Sequence, residues 1–171
     1  MSDHPPLIVT AALDDGAFDW FEDLRQAHFP PHRNQVPAHL TLFHALPGEH
    51  EETVAQTLKA ACHVRRSLQL DVRGPWSLGR GVAYRLSSPD LERLRAELAT
   101  GFSAWLTRQD QASFRPHITV QNKAEPEEAR QLLEHLQMEF EPFSIFAEGL
   151  FLWRYLGGPW ALVDRFEFDA P

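Results

Sequence analysis

The chain has 171 residues, of which 43% are hydrophobic and 23% are charged, and its formal net charge is −8. This composition is typical of a soluble globular protein and excludes a disordered one, while the acidic balance disfavours broad binding to nucleic acid or anionic membrane. The longest apolar runs are too short to span a bilayer, and no secretory signal is visible. A single cysteine, Cys62, excludes an intramolecular disulfide and a multi-cysteine zinc site, so we expect a cytoplasmic location.

The first half of the chain predicts strands and helices in alternation. Residues 7–13 are apolar and partly β-branched, as in a buried strand, and residues 17–27 carry apolar side chains at helical spacing. Prolines end that helix, and a polar loop leads to a short strand that contains His39. A second amphipathic helix over residues 49–63 and an alternating strand over 68–72 complete the series.

The second half repeats this series. After a turn-rich stretch over residues 74–81 come a strand, a helix capped by Ser88 that runs to about Leu106, a short strand with His117 and a further helix. Residues 143–155 and 160–168 predict a long β-hairpin. The repetition predicts a single α+β domain that is bilobal and pseudo-twofold. Its lobe-forming repeats span about 1–80 and 81–171, with antiparallel sheets flanking a central cleft.

One pattern occurs in both halves: His39-Leu-Thr41-Leu and His117-Ile-Thr119-Val. In a strand, alternate side chains face opposite sides, so each histidine points to the same side as the threonine two residues later. Histidine is the side chain best suited to exchange protons near neutral pH, and a pair can serve both proton transfers of a phosphodiester displacement. The threonine hydroxyls can donate to nonbridging phosphate oxygens, and no metal or cofactor is required by this chemistry.

The segments around these residues, Pro37 to Phe43 and Arg115 to Val120, resemble the two signatures of the two-histidine phosphoesterase superfamily. This superfamily includes the bacterial 2′-5′ RNA ligase-like cyclic phosphodiesterases. The resemblance implies that His39 and His117 form a catalytic acid–base pair, that Thr41 and Thr119 bind phosphate, and that a 2′,3′-cyclic phosphate is hydrolysed to a 2′-phosphate without a metal. Which histidine is the acid and which is the base stays open.

Further candidates for substrate binding follow from position. Phe43 and Gln121 share the parity of the motif histidines, so we expect them to border the cleft, although plain packing is an equal alternative for Phe43. His44 has the opposite parity and is interpreted as structural. A phosphoryl site also needs a cation, and the candidates are Arg33, Arg115 and Arg154.

Two alternatives to hydrolysis remain: joining of RNA strands through a 2′-5′ linkage, and binding of a nucleotide or other phosphorylated metabolite without turnover. The expected partner is a small nucleotide or an RNA end, with no membrane and no obligate protein partner. The chain shows no signature of assembly, so a monomer is the default expectation.

Overall fold

The structure, a computed structural model, describes residues 3–171. Within them an antiparallel sheet of seven strands packs against five helices, which confirms the predicted α+β class. The elements in chain order are β1 Leu7–Leu13, α1 Asp15–His28, β2 Thr41–Leu46, α2 Glu51–His63, β3 Leu68–Ser77, β4 Val82–Ser87, α3 Pro89–Gly101, α4 Arg108–Gln111, β5 His117–Gln121, α5 Pro126–Glu139, β6 Phe143–Tyr155 and β7 Trp160–Glu167. No helix in this part of the chain is long and apolar enough to cross a membrane.

The helix starts follow from capping side chains. Asp14 Oδ1 accepts the Ala17 N–H at 2.8 Å at the start of α1, and the Ser88 hydroxyl oxygen accepts the Leu91 N–H at 3.2 Å at the start of α3. Each cap satisfies a backbone donor that has no partner within its helix. The predicted Ser88 cap is therefore confirmed.

Three predicted boundaries are wrong. Strand β2 begins at Thr41, so His39 lies just before the strand that was predicted to contain it. Strand β3 continues to Ser77 instead of ending at Val72, because Gly74, with φ +142°, marks a register irregularity within the strand and not its end. Helix α3 ends at Gly101 instead of Leu106. The apolar spacing misled the prediction, because Phe102 and Trp105 still pack on the core after the helix has ended.

The strand order is symmetric about its centre. The strands lie in the order β2-β1-β6-β3-β4-β5, and β7 pairs with β6. Exchanging β1, β2 and β3 with β4, β5 and β6 gives the same order read from the other end of the sheet. Each half of the chain completes the sheet of the other, since β3 pairs with β4 and β6 pairs with β1. The two predicted sheets are therefore continuous through the pairing of β3 with β6.

Candidate active site

The motif strands β2 and β5 carry the same irregularity at the same place. Thr41 lies opposite Thr10 on β1, but the next ladder pair joins Phe43 to Val9. On β5, Thr119 lies opposite Ala83, and the next pair joins Gln121 to Val82. One extra residue, Leu42 or Val120, thus forms a β-bulge directly after each motif threonine, and the chain beyond it turns to the other face of the sheet.

These bulges overturn the prediction that Phe43 and Gln121 border the cleft. The Phe43 side chain is fully buried, with the Phe102 ring centroid at 5.4 Å and the Arg95 guanidinium carbon 4.2 Å from its own centroid. Gln121 is also buried, and its Oε1 has no hydrogen-bond partner within residues 3–171. Strict alternation predicted that both side chains face the cleft. The extra residue of each bulge shifts the alternation by one position, so both side chains face the core instead.

One side chain of helix α1 links the strand at one end of the sheet to the loop before the strand at the other end. A flat sheet would hold β2 and β5, at opposite ends of the strand order, about 24 Å apart, from five intervals of about 4.8 Å. Arg25 of α1 contacts both ends: it donates to the Thr119 carbonyl oxygen at 2.9 Å and to the Val36 carbonyl oxygen at 3.0 Å. Val36 lies three residues before His39, so one buried guanidinium links the approaches to both motifs.

A second side chain of α1 holds the first motif. The Glu22 carboxylate accepts the backbone N–H of Ala38 at 2.6 Å, directly before His39. The Asn34 side-chain oxygen accepts from the Arg25 guanidinium at 3.0 Å and so fixes the loop in which it lies. Helix α1 therefore positions the first motif through its carboxylate and the second through its guanidinium.

The two histidines make the same hydrogen bond. His39 Nδ1 lies 2.8 Å from the Pro37 carbonyl oxygen, and His117 Nδ1 lies 2.8 Å from the Arg115 carbonyl oxygen. A carbonyl oxygen can only accept, so each Nδ1 carries a hydrogen and donates it. In the neutral tautomer each Nε2 then holds a lone pair, and neither Nε2 has a hydrogen-bond partner within residues 3–171.

The pKa of His39 is lowered to about 4, chiefly because burial disfavours its charged form. The hydrogen bond to Pro37 opposes this shift, whereas the positive charges of Arg25, His117 and His44 add to it. The imidazole of His39 is therefore neutral at physiological pH and can accept a proton at Nε2. The charge of His117 thus contributes to the lowered pKa of His39 across the space between the two motifs.

Two tryptophans and an arginine flank the histidines, and sequence reasoning assigned none of the three to the site. The Trp160 ring centroid lies 4.6 Å from that of His39, and the Trp76 centroid lies 6.3 Å from that of His117. Arg85 is the ladder partner of His117, and its guanidinium carbon lies 4.3 Å from the Trp76 ring centroid. Only the strand register brings these residues to the motifs, and no local sequence signal could have found them.

A cavity of about 360 Å³ opens beside His39. Its wall is mainly apolar and includes the four aromatic side chains of Phe18, Phe151, Trp153 and Trp160. Trp153 donates from Nε1 to the Thr10 hydroxyl oxygen at 2.9 Å, which fixes the indole ring against the sheet. The lining includes Thr10, Pro37, His39, Phe151, Trp153, Trp160 and Arg165. A flat apolar group can therefore bind next to the imidazole.

The three arginines predicted from the sequence have different surroundings. Arg154 donates two hydrogen bonds, of 2.7 and 2.5 Å, to the carboxylate of Glu51, the first residue of α2. The negative charge of Glu51 therefore pairs with the positive charge of Arg154. This ion pair argues against Arg154 as the phosphate cation. Arg33 is exposed in a 3-10 turn, and Arg115 is exposed two residues before His117, so their contact with a ligand stays a prediction.

The interpretation of His44 as structural agrees with its contacts. The buried Asp110 carboxylate accepts from the His44 backbone N–H at 2.9 Å and lies 3.0 Å from its Nδ1. Within residues 3–171, no group of three or more His, Cys, Asp or Glu side chains is arranged to hold a metal ion.

The family model described as the 2′-5′ RNA ligase superfamily matches residues 13–159, a range that includes both motifs. The chain belongs to the 2′-5′ RNA ligase superfamily. A curated member of Bacillus cytotoxicus, named "Putative phosphoesterase", is 30% identical over 118 residues. That match covers 65% of this chain and 66% of the relative, so the chain spans slightly less than two thirds of its length.

Solved structures share the fold of this superfamily member. TT0787 of Thermus thermophilus superposes with a TM-score of 0.69 at 18% identity, over 96% of this chain and 98% of its own. LigT of E. coli, complexed with NADP⁺, superposes with a TM-score of 0.61 at 20% identity, over 98% and 99% of the two chains. LigT complexed with 3′-AMP gives 0.55 at 20% identity, over 96% and 98%. At these identities the likeness shows the fold alone.

Proposed function

We propose that this protein hydrolyses the 2′,3′-cyclic phosphate of a nucleotide or of an RNA end to a 2′-phosphate, with His39 and His117 as its acid–base pair. The observation that carries the proposal is the matched pair of Nδ1–H donors on backbone carbonyls, which leaves both Nε2 atoms free for proton transfer. Binding alone would not need two such groups. Membership of the 2′-5′ RNA ligase superfamily supports the same chemistry.

In this proposal His39 is the general base, because its lowered pKa keeps it neutral. Its Nε2 takes a proton from water while the water oxygen attacks phosphorus. The bond between phosphorus and O3′ breaks. His117 enters this step as the imidazolium, with a hydrogen on each ring nitrogen, and gives its Nε2 proton to O3′. The product is a 2′-phosphate monoester with a free 3′-hydroxyl, and protons and charges balance.

Three further side chains stabilise the negative charge that develops on the phosphoryl oxygens in the transition state. The hydroxyls of Thr41 and Thr119 donate to the nonbridging oxygens, from the face that each shares with its histidine. Arg85, beside His117, supplies the cation. A guanidinium suits this role, since its planar donors match two phosphate oxygens at once.

The cavity beside His39 suits a nucleobase. Its aromatic side chains offer stacking to the flat face that every base presents, and its volume of about 360 Å³ suits a single nucleoside group. LigT of E. coli has been crystallised with NADP⁺ and with 3′-AMP, both of which carry an adenosine group. A small nucleotide substrate also agrees with a net charge of −8, which disfavours binding a long RNA backbone.

The test is turnover of 2′,3′-cyclic AMP in the presence of a chelator. His39→Ala and His117→Ala should each lower kcat by about two to four orders of magnitude, the range of general acid–base catalysis. The matched control is His63→Ala, since His63 is exposed and bound to Asp169. Wild-type turnover in both motif variants would refute the proposal, and so would a wild-type protein that releases only the 3′-phosphate.

A second assay separates hydrolysis from the reverse reaction. An RNA fragment that ends in a cyclic phosphate is incubated with one that begins with a 5′-hydroxyl. We expect hydrolysed ends and no longer product. A 2′-5′-linked product in excess of hydrolysis would assign the protein to strand joining instead.

A further inference from the structure

A second cavity, of about 790 Å³, lies between α1, α5 and the sheet, away from the motif histidines. Its wall contains four aromatic rings that contact one another in a closed circuit: Trp20, Tyr84, Phe140 and Phe143. Consecutive ring centroids in this circuit lie 5.3, 6.0, 6.3 and 4.8 Å apart, and the ring planes are tilted by 50° to 78°. We call these residues the aromatic circuit.

The aromatic circuit faces the cavity from the opposite side of the sheet to the histidines. Tyr84 is the ladder partner of the buried Ile118, whereas its neighbour Arg85 is the partner of His117. Adjacent residues of a strand point to opposite faces, so the cavity is separated from the candidate active site by the sheet. The inference is thus independent of the proposed function.

The polar groups around this cavity are all acidic or neutral. Asp23, Glu139 and Glu141 line it with exposed carboxylates, and no arginine, lysine or histidine is among its lining residues. Asp23 and Glu141 have no ion-pair partner within residues 3–171, and Glu139 lies 3.5 Å from the exposed His135. Asp14, a fourth lining carboxylate, is already used by the backbone N–H groups of Ala17 and Phe146.

Tyr84 presents to the cavity a hydroxyl that has no protein partner within residues 3–171. The residue as a whole is 2% exposed. The ring is enclosed by protein, whereas the hydroxyl oxygen reaches the cavity and is open to a donor from a ligand. At the same time Trp20 is 40% exposed, which leaves an aromatic face open to a ligand.

We propose that this cavity binds an organic ammonium ion with an apolar body. Aromatic faces carry negative electrostatic potential and attract a cation, while the carboxylates at the rim stabilise its charge. An N–H of the ammonium group donates to the Tyr84 hydroxyl oxygen, and the apolar body covers the exposed indole of Trp20. A neutral molecule of the same shape gains only the apolar contacts.

The test compares the binding of 2-phenylethylammonium with that of 2-phenylethanol, a neutral molecule of the same shape. Each is titrated into the full chain, and binding is measured by the chemical shifts of the backbone amides. The amine should shift resonances of α1, β4 and residues 140–145 saturably, with an affinity about tenfold above that of the alcohol, a difference within the range of cation–aromatic attraction with nearby charges. Equal affinities, shifts elsewhere on the protein, or no saturable shift would overturn the proposal.

Two variants sharpen this test. Tyr84→Phe removes only the hydroxyl and should weaken amine binding several-fold while leaving unfolding by urea unchanged, since the hydroxyl has no partner to lose. The pair Glu139→Gln and Glu141→Gln should weaken it further, whereas Glu128→Gln, an exposed residue of α5 outside the cavity, should not. Unchanged amine affinity in both the Tyr84 and the double glutamine variant would refute the site. Phosphodiesterase turnover should stay at the wild-type level in all of them.

Discussion

The Arg25 guanidinium donates to the carbonyl oxygen of Thr119 at a distance of 2.9 Å, across 94 residues of sequence. The same group reaches Asn34 and Val36, which lead into the first motif. A side chain from the first half of the chain therefore binds the motif strand of the second. Arg95 mirrors it: this residue of the second half donates to the Leu42 carbonyl oxygen at 2.9 Å, in the first motif strand.

Arg25→Met should affect both stability and the pH dependence of turnover. It leaves three partly buried acceptors without a donor, so we expect the free energy of unfolding to fall by about 2–4 kcal/mol. It also removes a positive charge that lowers the pKa of His39, so the acid limb of kcat/KM should move to higher pH. Arg25→Lys keeps the charge and should leave that limb in place while kcat falls. A Met variant with the wild-type pH profile would contradict this role.

The pH dependence of the wild-type protein should reflect the lowered pKa of His39. A free histidine loses its basic form below pH 6.5, whereas His39 keeps it down to about pH 4. The acid limb of the logarithm of kcat/KM should therefore lie near pH 4 and not near pH 6.5. Rate measurements in buffers of constant ionic strength would decide this, and an acid limb centred at pH 6.5 would show that His39 is not the base.

The same shift predicts a loss of stability on acidification. Between pH 6.5 and about 4 the unfolded chain binds a proton at His39 that the folded protein does not, so the free energy of unfolding falls as the pH drops through this window. His39→Gln cannot bind that proton in either state. Urea unfolding at several pH values should show a smaller loss for the variant than for the wild type, and equal losses would count against a buried neutral imidazole.

Arg85→Ala should lower kcat/KM by about tenfold or more, because it removes the cation beside His117 that we propose to meet the phosphoryl charge. Arg85→Lys should restore part of the loss. The matched control is Arg73→Ala, an exposed arginine of β3 whose Nε donates to the Ser87 hydroxyl. If the Arg85 and Arg73 variants retain the same activity, another group supplies the cation.

Trp160→Leu should raise KM for 2′,3′-cyclic AMP roughly tenfold, since base stacking on an aromatic ring contributes about 1–3 kcal/mol. Glycerol 1,2-cyclic phosphate has no base, so its kcat/KM should change little in the same variant. Steady-state kinetics with both substrates would separate stacking from damage to His39. A parallel loss on both would show that Trp160 acts on the imidazole and not on the base.

Interactions between residues close in the sequence determine the type of most elements and the residues that form the motifs. The bounds of β1 and the type of each long element follow from apolar periodicity and capping, which act over a few residues. Strand alternation places His117 and Thr119 on one face, since both lie in β5, and the repeat of the motif indicated the superfamily to which the chain belongs.

The tertiary structure decided what surrounds the motifs. A β-bulge after Thr41 and another after Thr119 turned Phe43 and Gln121 away from the cleft, and strand register brought Arg85 to His117. Two buried arginines, Arg25 and Arg95, each bind the motif strand of the other half of the chain. These features depend on contacts between residues far apart in the chain. Such contacts produce no periodic pattern in the local sequence, so the sequence alone could not predict them.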